Sequence, residues 1–309
     1  MLTFDTSYSY DKVSFKLSSP DLLIKQLPLA IRKKKMMLCV YDEADREIQN
    51  EFIDINVSER VRLKNVPDGK YHLNLFVSLN GDPTGLFYAY FQQRSISLQV
   101  VNGRWHFVVA PIINRNREVL AKLKTDPASL KYYTRSTEAY IESDDPQIQR
   151  LAREISKFKV TPMQKLTAVH DWVADNIYYD SDALADKTCN TNPYPATEVL
   201  KTKRCICRGY VNLGVALMRA LGIPSLVQLC YSLNIDTDGG WDKPENQEAR
   251  ANHVIILAFV DDRWVNMDIT WDSHNEYKNG KFIKGNKGYI SRRYFDATLE
   301  MISNTHKFQ

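Results

Sequence analysis

The sequence predicts an α+β protein, with an antiparallel, immunoglobulin-like β-sandwich followed by a domain that mixes helices with a few strands. Three observations predict it. From Lys12 to about Pro111, β-branched and aromatic residues recur run after run, often in alternation, which is the period of a half-buried strand. The turn pairs Asp68-Gly69 and Asn102-Gly103 fall between such runs, and these dipeptides are the strongest short hairpin signals. After Pro111, apolar residues recur at every third and fourth position instead, the period of a helix.

Strands are expected in "KVSFKL", "MMLCVYD", "EFIDINV", "RVRLKNVPDGKYHLNLFVSL", "GLFYAYFQQ" and "SISLQVVNGRWHFVVA", each rich in residues that fit a pleated surface. Helices are expected in "NREVLAKLKT", "DPQIQRLAREISK" and "TPMQKLTAVHDWVADNIYYD", where Asp145-Pro146 and Thr161-Pro162 supply a cap followed by a proline. A loop rich in Asp, Asn, Thr and Pro runs from Ser181 to Pro195. The next helix opens at Cys207 in "CRGYVNLGVALMRALGIP", with Tyr210, Leu213, Gly214, Leu217, Met218 and Leu221 at helical spacing and Gly222 before Ile223-Pro224 as its stop. "HVIILAFVDDRWVNMDITW" reads as two strands joined by a tight turn at Asp261-Asp262. The change of period divides the chain into residues 1–112 and 113–309, and neither part contains an internal repeat or a low-complexity stretch.

Composition bounds the function without naming it. The 309 residues carry a net charge of +4, with 14 Lys and Arg against 12 Asp and Glu in residues 1–112, so neither part offers an electrostatic surface for nucleic acid. The basic run Arg32 to Lys35 is expected to be a solvated lead-in to a strand. No apolar stretch approaches the length of a membrane span, and "MLTFDTSYSYDK" lacks the regions of a signal peptide. A soluble protein is expected, either cytoplasmic or the mature part of an exported one. Five cysteines in a chain of this length do not read as a disulfide framework, and the odd number leaves at least one thiol free unless it pairs with another molecule.

Cys207 stands at the start of its helix, where unpaired N–H groups and the positive end of the helix dipole favour a thiolate and could hold an oxyanion. A buried structural cysteine is the competing reading. A nucleophile needs a base and the base an orienter. If Asp261-Asp262 is a two-residue turn, Val260 pairs with Arg263, His253 lies opposite Thr270, and Asp268 shares the face of His253. The other histidines carry no such partner: His170 belongs to a helix, packed or partly exposed, His72 and His106 to the β domain, His274 follows the last strand, and His306 lies near the chain end, where mobility is usual. Cys205 reads as packing, Cys39 and Cys230 as core, and Cys189 as an exposed loop thiol. The Cys205–Cys207 pair has no second Cys or His pair at zinc-site spacing, so neither a metal nor a cofactor is expected.

The succession of "NIYYD", "ATEVLKTKRCICRGYVNLGVALMRALGIPS" and "NHVIILAFVDDRWVNMDITWDS" resembles the transglutaminase-like superfamily of papain-fold thiol enzymes, in its bacterial branch, over roughly residues 145–275. C-x-G-Y, G-I-P and W-x-x-x-D-x-T-W together carry the resemblance, and the tail "YFDATLEMISNTH" looks like the end of the same module. It implies Cys207 as nucleophile, His253 as general base and Asp268 as its orienter. Tyr179, in the Tyr-Asp pair that closes the preceding helix, is implied as a family feature with either a pocket or oxyanion role or a structural one. Two departures stand out. Cys205 occupies the place of a family glycine, and Val254-Ile255 follow His253 where the family has Ala-Trp.

The resemblance implies an acyl-transfer enzyme that forms a thioester on Cys207 and passes it to water, as a peptidase or amidase, or to an amine, as a cross-linking transglutaminase. Its partner would be a peptide or protein, cell-wall-associated substrates included. The β domain would position substrate or anchor the enzyme, by analogy with accessory β domains. The alternative is an inactive transglutaminase-like scaffold that binds protein or polysaccharide.

Overall fold

The computed structural model describes residues 3–5, 7–10, 13–25, 35–53, 58–78, 87–89, 96–136, 139–233, 240–241, 243–285 and 288–309. Arg32 to Lys34 and parts of the expected strands "EFIDINV" and "GLFYAYFQQ" lie outside the described residues. The chain forms two compact units, Met1–Ile113 with Thr298–Asn304, and Asn114–Ala297 with Thr305–Gln309.

The first unit is built from β1 (Thr3–Asp5), β2 (Ser7–Tyr10), β3 (Val13–Ser18), β4 (Asp21–Lys25), β5 (Met36–Asp42), β6 (Glu47–Ile53), β7 (Ser58–Arg62), β8 (Gly69–Ser78), β9 (Phe87–Ala89), β10 (Ile96–Val101) and β11 (Arg104–Val109). One sheet has the order β1-β11-β10-β8-β5-β6, with β9 also on β8, and a second has the order β2-β3-β4-β7. Both are antiparallel. Alternation works as the sequence requires: Val13, Phe15 and Leu17 are buried while Lys16 and Ser18 are exposed, and the Phe15 ring lies 6.4 Å from Phe107 of the other sheet. Asn102 and Gly103 both take positive φ, 51° and 70°, and make the expected hairpin between β10 and β11. Asp68-Gly69 does not turn a hairpin. The chain there passes from one sheet to the other, and the Asp68 carboxylate instead accepts the N–H groups of Asn102 and Gly103 at 2.7 and 2.9 Å.

The second unit continues with α1 (Ile113–Ala121), α2 (Pro127–Tyr132), α3 (Pro146–Ser156), α4 (Pro162–Asn176), β12 (Tyr178–Asp180), α5 (Ser181–Ala185), α6 (Ala196–Thr202), β13 (Arg204–Cys205), α7 (Cys207–Ala220), β14 (Ser225–Ser232), α8 (Pro244–Glu248), β15 (His253–Val260), β16 (Arg263–Met267), α9 (Ile269–Asp272), β17 (Glu276–Lys278) and β18 (Lys281–Ile283). After α10 (Leu299–Ile302), in the segment that belongs to the first unit, β19 (His306–Phe308) returns to the second. The Asp145 carboxylate caps α3, and Thr161 with Gln164 forms a reciprocal capping box on α4. Inside the Ser181–Pro195 segment, expected as a loop, the Asp180 carboxylate caps α5 and a short 3₁₀ turn over Thr188–Asn190 carries Cys189 inward. Cys189 is therefore buried, against the expectation of an exposed thiol.

Two sheets frame this unit. β16-β15-β14-β19 is antiparallel, and in β13-β12-β17-β18 the strand β12 runs parallel to both β13 and β17. Asp261 and Asp262 take φ of 53° and 58°, and Val260 pairs with Arg263 as expected. Regular pairing stops at Ile256 and Met267, so Thr270 falls in α9 rather than opposite His253.

α7 is the central helix, buried from Gly209 to Arg219. It ends in a Schellman motif: Ile223 N–H reaches Met218 O at 3.0 Å, Gly222 N–H reaches Arg219 O at 2.9 Å, and Gly222 has φ of 74°. The C-x-G-Y block has separate packing duties. The Tyr210 hydroxyl donates to Ile177 O at 3.0 Å, tying α7 to the end of α4. Gly209 faces Cys205, and a Cβ there would sit 2.3 Å from Cys205 Cβ and 2.6 Å from its Sγ. Cys205 thus fills the space that Gly209 leaves. Gly209→Ala is expected to cost about 1–3 kcal/mol in urea unfolding, the usual cost of an overpacked core. Adding Cys205→Gly should recover part of that loss, and an equal loss in the single and double variants would contradict this packing.

Candidate active site

Cys207 is the first residue of α7, and β13 leads directly into it. The four N-terminal amides of a helix lack intrahelical acceptors, and Ile206 at the N-cap offers no side-chain cap. The positive end of α7 is therefore left to whatever lies beside Cys207. All five cysteines are free thiols; Cys207 is partly exposed and the other four are buried. Burial pushes the Cys205 thiol well up, so this neighbour remains protonated.

His253 opens β15 and Asp268 follows the last residue of β16, where it caps α9. His253 Nε2 and Asp268 Oδ2 are 2.8 Å apart, and Asp268 Oδ1 accepts the Trp271 N–H at 3.1 Å. Asp268 is 1% exposed. Burial alone would raise its carboxyl, but the His253 ring and then His306 outweigh this and hold it well below the usual carboxylate range. Burial likewise opposes a charged His253, yet the Asp268 carboxylate, and after it the negative charge of a Cys207 thiolate, raise its pKa to about 10. Because the carboxylate only accepts, Nε2 carries the proton and Nδ1 is the ring nitrogen left for exchange.

A cleft of about 480 Å³ brings Cys207 and His253 together with Tyr179, Ser181, Ser232, Asn252, Thr270, Trp271 and residues 273–276. Tyr179 of β12 is half-buried, and burial with the nearby Cys207 pushes its phenol up to about 12, so it can donate a hydrogen bond at neutral pH. The departure after His253 has a visible counterpart. Ile255 is fully buried and Val254, on the opposite face of β15, packs partly buried against the hydrophobic core, while the Trp271 ring lies beside His253, with centroids 6.0 Å apart.

His306 overturns the expectation of a mobile chain end. β19 pairs with β14, the ring is fully buried, and its Nε2 lies 3.1 Å from the same Asp268 Oδ2 that serves His253. Potential ligand atoms of His253, Asp268 and His306 fall within 4.8 Å of one another, and both histidines hydrogen-bond Asp268 Oδ2. Nothing in the spacing of the sequence brings His306 to this site; only the β14 pairing does.

Residues 149–269 match the family model of the Transglutaminase-like superfamily. Kyphoscoliosis peptidase of Mus musculus is 20% identical over 157 residues, which are 50% of this chain and 22% of that protein. The Homo sapiens kyphoscoliosis peptidase is 22% identical over 126 residues, 41% of this chain and 18% of that protein. The chain thus spans about a fifth of the length of these curated relatives. Among solved structures, a candidate cysteine protease from Cytophaga hutchinsonii aligns at 13% identity and a TM-score of 0.37, covering 87% of this chain and 79% of its own. A candidate protease from Parabacteroides distasonis aligns at 9% and 0.30, covering 88% and 68%. Residues 149–269, within the second unit, thus form a transglutaminase-like domain. Among the described residues, no helix is long and apolar enough to cross a membrane.

A second histidine–aspartate system lies away from the cleft. His170 of α4 is fully buried, as a packed helix residue, with Nδ1 3.1 Å from Asp171 and Nε2 3.0 Å from Asp272. Both ring nitrogens are occupied. Against the cost of its own burial, Asp171 is held at about 2 by Arg292 and then His170. A carboxylate depressed below its unfolded value of 3.8 adds stability that is full above about pH 4 and lost as pH falls towards 2. Asp171→Asn should therefore be less stable than the parent near pH 6, with the difference shrinking as pH drops towards 2. A gap in urea midpoints that stays constant over this range would contradict it.

Proposed function

We propose that the second unit is a cysteine-dependent hydrolase of peptide or protein amides, with Cys207 as nucleophile, His253 as general base and acid, and Asp268 as the residue that orients His253. The observation that carries this reading is the partly exposed Cys207, at a helix N-terminus without a side-chain cap, sharing a cleft with a histidine whose Nε2 meets a buried carboxylate.

In this mechanism the Cys207 proton passes to His253 Nδ1, and the thiolate Sγ attacks the amide carbon. The C=O π electrons move to oxygen, and the Cys207 N–H with the Tyr179 hydroxyl stabilises that oxyanion. Collapse breaks the C–N bond, and His253 returns its proton to the departing amine, leaving a thioester. Water then gives a proton to His253 while its oxygen attacks the thioester. Collapse of the second tetrahedral intermediate breaks the C–S bond and releases the acid, and His253 returns its proton to the Cys207 sulfur. Asp268 remains a carboxylate throughout and stabilises the imidazolium each time it forms.

Water is proposed as acceptor, and a cell-wall-associated peptide falls within the same substrate class. With a primary amine supplied alongside a peptide substrate, hydrolysed product should exceed the amine adduct, and an excess of adduct would move the protein to the transglutaminase type.

The direct test is the pH dependence of Cys207 alkylation by iodoacetamide, followed by peptide mass spectrometry in the parent and in His253→Ala. Reaction should persist at about pH 5–6 in the parent and disappear there in the variant, as for a thiolate–imidazolium pair. Ordinary thiol titration in both would favour the scaffold reading. Cys207→Ala should lower peptide hydrolysis by about a thousandfold or more.

A further inference from the structure

His306 stands outside the nucleophile, base and orienter, yet it occupies the oxygen through which Asp268 acts. The sheet register explains how. On β14, Cys230 pairs with His253 of β15 and Ser232 pairs with His306 of β19. Cys230 and Ser232 are two residues apart and point to one face, so the two histidines reach that face from either side of β14. Their ring centroids are 5.6 Å apart. The His306 ring is held by Thr305 Oγ1, 2.8 Å from Nδ1, and by the Trp271 ring 4.7 Å away, and the Asn116 side chain donates to its backbone carbonyl at 2.8 Å.

We propose that His306 is a positioning residue which, by donating its Nε2–H to Asp268 Oδ2, limits the hold of Asp268 on the His253 proton. This rests on the proposed role of His253 as base. Trp271 N–H already occupies Oδ1, so both rings share Oδ2. An N–H donated to a carboxylate stabilises its charge and leaves less of it to retain a proton on a neighbour. His306 accordingly lies among the groups that lower Asp268. A base that must both accept and release a proton in each half-reaction works best when neither step is strongly uphill, and a second donor on the orienting carboxylate moves His253 that way. The sign does not depend on the charge of His306. Removing a neutral donor strengthens Asp268 as an acceptor, and removing a cation also removes a repulsion, so either loss raises the proton affinity of His253.

The other titratable groups around His253 are Cys207 from α7, Cys230 from β14, and Tyr179, His274 and Glu276 along the cleft. Cys207 is the one whose own titration would obscure the effect. The experiment therefore uses the full chain with Cys207→Ala, labelled with ¹⁵N-histidine, and follows the His253 ring nitrogens by NMR against pH. It is repeated with His306→Phe, which keeps an aromatic ring without the donor, and with His306→Gln, which keeps an N–H. The Phe variant should raise the His253 midpoint by about half a unit or more, roughly threefold in proton affinity, and the Gln variant should bring it back to the parent value. An unchanged or lower midpoint with Phe, or an equal rise with Phe and Gln, would overturn the proposal. Since this readout needs no nucleophile, it stands whether or not Cys207 proves to be one.

Discussion

The buried carboxylate of Asp268 is the constraint on which the rest of the second unit depends. A carboxylate with almost no exposure is tolerated only if its oxygens are supplied with donors. Here the donors come from three separate places in the chain: His253 at the start of β15, the Trp271 amide in α9, and His306 in β19. Satisfying one charge therefore requires the β15–β16 hairpin to be in register, α9 to form immediately after it, and the chain end to pair with β14. Polar satisfaction and site assembly are the same event.

That arrangement also separates two histidine–aspartate systems that look alike in composition. His170 has carboxylates on both nitrogens and no exposure, so it can tie α4 to α9 but has no ring atom to offer a thiol. His253 has its carboxylate at Nε2 only, and its other side meets Cys207 and the cleft. The helix that presents Cys207 is anchored at its far end by the Schellman motif at Gly222 and near its start by the Tyr210 hydroxyl, so the thiol sits on one of the most buried elements of the unit.

Much of this was legible in the chain because it is local. The start of α7 at Cys207, its stop at Gly222 and the two-residue turn at Asp261-Asp262 follow from period and turn chemistry, and His253 and Asp268 do meet, although pairing ends at Met267 and Asp268 reaches the ring as the cap of α9. What was illegible is non-local. His306 reaches Asp268 only because β19 returns to β14, a pairing between strands more than seventy residues apart that no periodicity announces. Cys189 appeared exposed because its neighbours are polar, whereas a 3₁₀ turn faces it inward. Asp68-Gly69 carried a hairpin signal, but the Asp68 carboxylate is spent on the neighbouring Asn102-Gly103 turn, a competition between two turn sequences that the order of residues does not resolve.

The central claim is a covalent thioester on Cys207, and trapping it is the most direct measurement. The full chain would be mixed with a broad peptide pool, quenched in acid within one turnover, digested and mapped by mass spectrometry. The account predicts a peptide acyl adduct on Cys207 that decays in water and is absent in His253→Ala. Peptide cleavage that persists without an adduct, or that survives Cys207→Ala, would contradict it.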